Sequence, residues 1–162
     1  MVLILSRQYS LIVKIRRTNR TPYSIVYKAA LSRILEDDWT DWTEDEIKED
    51  LSGLLDAALP WFKFPRVSLA RTEEGFEGDL NNEEIQILAS LMKCEWLNRS
   101  IMTWENVKPL YDERDFSPGN TLDKLNKTLQ YERDTARRLE SIYYRSIKGS
   151  PYNYRKWAGD NT

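Results

Sequence analysis

Asn82-Glu83-Glu84-Ile85-Gln86-Ile87-Leu88-Ala89-Ser90-Leu91-Met92-Lys93-Cys94-Glu95-Trp96-Leu97 is the stretch whose reading decides the fold. Ile85, Leu88, Ala89, Met92 and Trp96 recur at helical spacing, and Ile101 extends the stripe. Ile87, Leu91 and Leu97 widen it beyond one face, and a helix apolar on more than one face is central in a bundle. Asn81 or Asn82 caps its start, with Glu83 and Glu84 in the first turn, where acids are favoured. The pattern resumes through Trp104, Val107 and Leu110, with Pro109 as a point where it can break.

Upstream, Pro22 opens a second helix predicted from about Tyr23 to Leu35, with Tyr27, Leu31, Ile34 and Leu35 on one stripe. Thr43-Glu44-Asp45-Glu46 is a capping box: the Thr43 hydroxyl accepts the Glu46 amide and the Glu46 carboxylate reaches back to the Thr43 amide. Ile47, Leu51, Leu54, Leu55, Ala58 and Leu59 follow as an apolar stripe, and Pro60 ends that helix. The aromatic link Trp61-Phe62-Lys63-Phe64-Pro65 reads as packed down. Residues 66–78 are the least helical part of the middle, with Val67 and Leu69 alternating with polar residues. Gly75 and Gly78 permit tight turns there, so a small β-hairpin or an ordered loop is expected.

Downstream, Asn120 or Thr121 caps a last helix carrying Leu122, Leu125, Leu129, Ala136, Leu139, Ile142, Tyr143 and Ile147 and running to about Lys148. Its middle, Tyr131-Glu132-Arg133-Asp134, is polar and is expected to stand clear of the core or face water. Gly149-Ser150-Pro151 terminates it. The fold class is therefore mainly α: a helical bundle with two long helices, a small β-hairpin or ordered loop, and extended N- and C-terminal arms. The divisions are a basic N-terminal arm over 1–22, a helical domain over 23–148 and a C-terminal docking tail over 149–162. Within the arm, Leu11-Ile12-Val13-Lys14-Ile15 reads as a short strand or extended segment. The apolar Met1–Leu5 start followed by basic residues faintly resembles a transit peptide but is far too short to span a membrane.

Composition bounds the function. The chain has 162 residues, enough for one domain with its own core. Its net charge is only −2, yet the charge is segregated. Residues 1–33 carry seven Lys or Arg and no acid, 36–50 carry nine acids and one base, and 124–162 carry nine bases and four acids. Such segregation suits docking of one surface on a complementary one, including a different face of a neighbouring copy. The plain alternative is that the acidic block opens a helix and is solvated. Six Trp and nine Tyr exceed what a core of this size needs, and some are expected at contacts with other chains.

Chemistry is sparse. There is no histidine, so the commonest general base near neutral pH and any Cys–His pair are absent. The single cysteine, Cys94, cannot form an internal disulfide and reads as a buried structural thiol. There is no phosphate-binding loop, nucleophile elbow or Cys/His zinc cluster. No catalytic residue, metal site or cofactor is assigned, and an enzyme is not expected. The tail Pro151-Tyr152-Asn153-Tyr154-Arg155-Lys156-Trp157 lacks any helical or strand period. A frayed end is the bland reading. The sharper one makes Tyr152, Tyr154, Arg155, Lys156 and Trp157 the partner-binding residues of a segment that orders on docking.

Glu83-Glu84-Ile85-Gln86-Ile87-Leu88-Ala89-Ser90-Leu91-Met92 with Glu95-Trp96-Leu97, followed by Asp115-Phe116-Ser117 and Asn120-Thr121-Leu122-Asp123-Lys124-Leu125, resembles the neck proteins of tailed bacteriophages, the head–tail connectors or adaptors beneath the portal. The resemblance covers roughly residues 79–148 and is a helical pattern. The basic arm and Pro118-Gly119 have no place in it. It implies a helical protomer in a homo-oligomeric ring, usually twelve-fold, that provides the tail attachment platform and a channel for DNA. Partners would be the portal protein, the next neck or tail protein and copies of itself. DNA would pass without specific binding, and no membrane would be involved. The expected location is the virion neck at the head–tail junction, with assembly in the host cytoplasm. A C-terminal segment reaching the portal is also implied, here residues 151–157. The alternatives are a small helical regulatory or scaffold protein, and a nucleic-acid binder using Arg16, Arg17 and Arg20, which the acidic net charge disfavours.

Overall fold

The structure, a computed structural model, describes residues 20–34, 39, 41–107 and 117–146. Among these residues the chain runs β1 (Thr21–Pro22), α1 (Tyr23–Leu31), α2 (Glu44–Ala58), a 3-10 turn (Leu59–Trp61), β2 (Gly75–Phe76), α3 (Asn82–Val107) and α4 (Ser117–Arg145). The bundle with two long helices is as the periodicity predicts. The helix α3 is its axis: it touches α1, α2, the 3-10 turn and α4, with Ile87, Leu88, Ala89, Leu91, Met92, Cys94 and Leu97 all buried.

Capping sets where the helices begin. Thr43 N–H donates to Glu46 Oε2 (2.8 Å) and Glu46 N–H to Thr43 Oγ1 (3.4 Å), closing the capping box on α2. Asn81 caps α3 by the same reciprocal exchange with Glu84, both bonds at 2.9 Å. Pro22, extended, precedes α1, which ends at Leu31 and not near Leu35. There the Ser32 hydroxyl donates to the Ala29 carbonyl (2.8 Å), and the chain turns so that Ile34 is still buried. The buried stripe of α1 is Val26 and Ala30, with Tyr23 and Tyr27 flanking; Leu31 is exposed. The helix α4 starts three residues before the expected cap, because Pro118 in its first turn forfeits an amide that has no helical partner. The stretch expected to run on to Lys148 lies outside the described residues after Ser146.

The ordered middle segment is not a self-contained hairpin. β2 pairs antiparallel with β1, Thr21 opposite Phe76 and Pro22 opposite Gly75, while Phe76 also bridges Arg71. Thr21 Oγ1 accepts from Leu80 N–H (2.8 Å), so residues 21–22 belong to the folded unit. Gly75 serves close approach: a β-carbon there would strike the Thr21 carbonyl oxygen and lie 2.8 Å from Pro22 Cα. Tyr23 donates to the Thr72 carbonyl (2.7 Å) and packs edge-on to Phe76 at 5.2 Å. Arg71 ties the segment to two helices through Tyr23 Oη, Ser52 Oγ and Asp56.

The hairpin of α3 and α4 is antiparallel. Leu122, Leu125, Leu129, Glu132, Ala136, Leu139 and Tyr143 face the core of α4 at alternating three- and four-residue steps. Ile142, expected in that stripe, is exposed because it falls off this seam. Tyr131, Arg133 and Asp134 in the polar middle of α4 are exposed as expected, whereas Glu132 is buried and pairs with Lys93 at 2.7 Å. Of the aromatic link, only Phe62 is buried; Trp61 and Phe64 are 57% and 73% exposed.

Buried polar contacts hold the helices in register. The Glu84 carboxylate is fully buried; Oε2 caps Asn81 while Oε1 accepts from the Tyr143 hydroxyl at 2.5 Å. That hydroxyl accepts from Arg66 N–H (2.7 Å). The Arg66 guanidinium lies over the Tyr143 ring and donates to the Tyr143 and Ser146 carbonyls, closing the C-terminus of α4. Arg99 of α3 forks onto Asp50 of α2, whose Oδ2 also accepts from Trp39 Nε1 (3.0 Å). Arg33 donates to Gln86 Oε1 (2.6 Å) and Ser90 Oγ (2.9 Å), fixing the end of α1 on α3.

Two stability outcomes follow from these contacts. Tyr143→Phe strands Glu84 Oε1 and Arg66 N–H, and is expected to cost about 1–3 kcal/mol in urea unfolding; a loss under about 0.5 kcal/mol would show the network to be dispensable. Lys93→Met is expected to cost about 3–5 kcal/mol by leaving the buried Glu132 charge unpaired, Glu132→Leu to cost less because Lys93 is partly exposed, and the double variant to return close to the parent. A double variant as unstable as the sum of the singles would show that the two charges are not coupled.

Candidate partner-binding surface

The residues singled out in the tail, Tyr152, Tyr154, Arg155, Lys156 and Trp157, lie outside the described residues. What the structure adds is the surface beside the point where the chain leaves α4. On the C-terminal half of that helix Arg133, Arg137, Glu140 and Tyr144 fall on one face by their spacing. Phe64 packs edge-on to Tyr144 at 6.2 Å, and Tyr144 to Tyr143 at 5.4 Å, so an exposed aromatic corner rests on a buried ring. Phe62, from the same link, is T-shaped against Tyr143 at 5.5 Å. The link is thereby anchored by one ring and presents the two on either side.

Next to this corner a groove of about 350 Å³ runs between α3 and α4, lined by Trp61, Leu91, Cys94 and Ala136 with Glu95, Arg133, Arg137 and Glu140. Glu140 Oε1 is buried there without a hydrogen-bond partner among the described residues. Burial pushes the Glu140 carboxyl above the usual glutamate range, with Arg137 partly opposing it. Burial, and then the Glu140 charge, also raise the Tyr144 hydroxyl. Cys94 is buried and free, as the helical reading expects, and its thiol is pushed up to about 11 by burial and by Glu132. It is held as a thiol, unlike a reactive cysteine, which needs an electropositive site that favours the thiolate. Tyr143 is pushed up to about 12 by burial and by its bond to Glu84, which keeps it a donor.

The acidic block divides in two. Glu44, Asp45, Glu46 and Glu49 are exposed along α2, where the first three also favour its N-terminus. Asp50, the last acid of the block, is instead drawn inward by Arg99 and Trp39. Among the described residues no three Cys, Asp or Glu side chains are grouped to hold a metal ion, and no helix is long and apolar enough to cross a membrane. Chemically, this arrangement offers rings, paired arginines and an unfilled acceptor, which suits recognition of another polypeptide segment.

No family model, curated protein or solved structure matches this chain. Sequence reasoning missed Trp61, Phe64 and Glu140 as surface features. The aromatic link has no period that tells an inward ring from an outward one, and Glu140 looks like any exposed helical acid until Trp61 is placed over the same face.

The Glu140 shift has a pH signature. Its folded value lies above its unfolded one, so the group favours folding at low pH and loses that contribution as pH rises through the folded value. Glu140→Gln is therefore expected to raise the urea midpoint at pH 7 and to match the parent below about pH 4, where the carboxyl is protonated in both states. An equal gain at both pH values would place the effect elsewhere.

Proposed function

We propose that this chain is a structural virion protein, a head–tail connector that forms a ring beneath the portal, extends the DNA channel and provides the tail attachment platform. The observation that carries the reading is the exposed aromatic corner of Phe64 and Tyr144, with Trp61 nearby, on a helical hairpin locked by buried polar contacts. A rigid body with anchored rings at one end is suited to assembly, because little side-chain freedom is lost on docking. The resemblance of residues 82–97 to phage neck proteins supports the same reading, since that stretch forms the axis of the bundle. The exposed acids of α2 and the basic terminal segments supply opposite charge for head-to-tail contact between copies. In this role the chain performs no catalysis, holds no cofactor, and lets DNA pass without specific binding.

Quantitative mass spectrometry of purified virus particles, with the portal protein as internal ratio, tests the proposal. A ratio near one is expected for a ring matched to the portal. Absence from mature particles would sink it and favour a small helical regulator or scaffold acting by protein–protein binding. Removal of residues 151–162 is expected to leave the circular dichroism melt unchanged and to abolish portal docking in a pull-down; undiminished docking would remove the tail from that role.

A further inference from the structure

We infer that the outer face of α4 docks antiparallel on the outer face of α2 in a second copy of this chain, with Tyr131 seated over Gly53. This deepens the ring reading, on whose contact between copies it rests, and assigns that contact to two particular helix faces.

Both helices pack on α3, and the stripes they turn outward differ in sign. On α4, Lys124, Lys127, Tyr131, Arg138, Ile142 and Arg145 follow at steps of three, four or seven residues and share one face, away from the seam with α3. All six are exposed, Tyr131 by 66% and Ile142 by 54%. Among the described residues none of the four cations has an ion-pair partner. Asp134, at the edge of the stripe, is taken up by Arg137 on the next face (3.8 Å). On α2, Asp45, Glu49, Gly53 and Asp56 follow at steps of four, four and three, all exposed. Lys48, the one base of α2, falls on another side and leans on Glu44 and Asp45.

The two stripes match in shape as well as in charge. A β-carbon on Gly53 would find nothing within 4 Å, so the space over it is open to a neighbour. Gly53 floors a hollow of about 390 Å³ lined also by Trp42, Glu46, Glu49 and Asp50, with Trp42 41% exposed. An exposed ring flanked by cations suits a hollow rimmed by carboxylates and an indole. The register is antiparallel. With Tyr131 over Gly53, Lys127 comes to Asp56, and Arg138 comes between Glu49 and Asp45. Ile142 lies eleven residues after Tyr131 and Trp42 eleven before Gly53, so two exposed apolar side chains meet at the far end. The parallel alternative carries Arg138 and Ile142 past Ala58, where α2 ends. A face that meets a different face of its neighbour leaves the complementary face free on each copy, so the contact propagates and closes into a ring where the rotation allows.

Sedimentation velocity on the full chain, without any partner, tests the contact. Between about 5 and 200 µM at low salt the parent is expected to pass from monomer to larger species, and to return toward monomer as added salt screens the charges. Asp45→Lys with Glu49→Lys, and separately Lys127→Glu with Arg138→Glu, are each expected to weaken self-association at least tenfold; the substituted side chains are all exposed. An equimolar mixture of the two variants is expected to restore it, because every contact then joins opposite charges again. Gly53→Gln fills the hollow with a better helix former that has room within its own chain. It is expected to raise the thermal midpoint while weakening association at least tenfold. A parent that stays monomeric at the highest concentration, association untouched by either reversal, or a loss that mixing does not restore would each overturn the inference. A monomeric parent that binds a DNA oligonucleotide through Lys127 and Arg138 would assign the α4 stripe to nucleic acid instead. A particle ratio near one beside any of these results would keep the ring and sink this contact. Face-specific association by a chain absent from particles would keep the contact and sink the ring.

Discussion

The contact on which the rest of the structure depends joins Glu84, Tyr143 and Arg66. One carboxylate, wholly buried, closes the N-terminal cap of α3 with one oxygen and takes the Tyr143 hydroxyl with the other. The same hydroxyl receives the Arg66 amide, and the Arg66 side chain closes the C-terminus of α4. Two helix ends and one loop are thus tied at a single point. Each helix end would otherwise leave unpaired amides or carbonyls near the core. Partial satisfaction of such a network is costly, so loss of any one partner is expected to loosen the contacts of the other two.

Much of this organisation was legible in residue spacing. Thr43 and Glu46, and Asn81 ahead of Glu84, announce helix starts through short polar patterns whose chemistry is local. The breadth of the apolar stripe from Ile85 to Leu97 marks the central helix because a helix touched on several sides has no polar face. Long-range pairings were not legible. Nothing near Glu132 signals that Lys93, thirty-nine residues earlier, will meet it. Likewise Asp50 reads as the last acid of a solvated block until Arg99 is placed against it. The surface was the least readable of all, since Trp61, Phe62 and Phe64 are chemically alike and only the position of Tyr143 decides which ring is taken inward.

The small sheet illustrates a related limit. Gly75 and Gly78 look like turn residues, yet Gly75 is required by the backbone of a strand more than fifty residues away. The absence of a side chain is used for contact and not for conformational freedom. Arg71 then extends that contact to α2, so the irregular segment is bound on both sides and acts as a brace between α1, α2 and the start of α3.

The Lys93–Glu132 pair has a further meaning for how the hairpin comes apart. It lies between two apolar clusters, the main one shared by all four helices and a smaller one made by Cys94, Leu97, Ile101, Leu122 and Leu129. Among the described residues the smaller cluster has only α3 and α4 for walls. An interruption of this kind weakens cooperativity between neighbouring packed units. The distal end of the hairpin therefore has fewer packed walls than the four-helix part, the kind of region in which local opening is expected to start. Packing alone thus sets an order in which the hairpin would loosen, from the two-walled tip toward the base where all four helices meet.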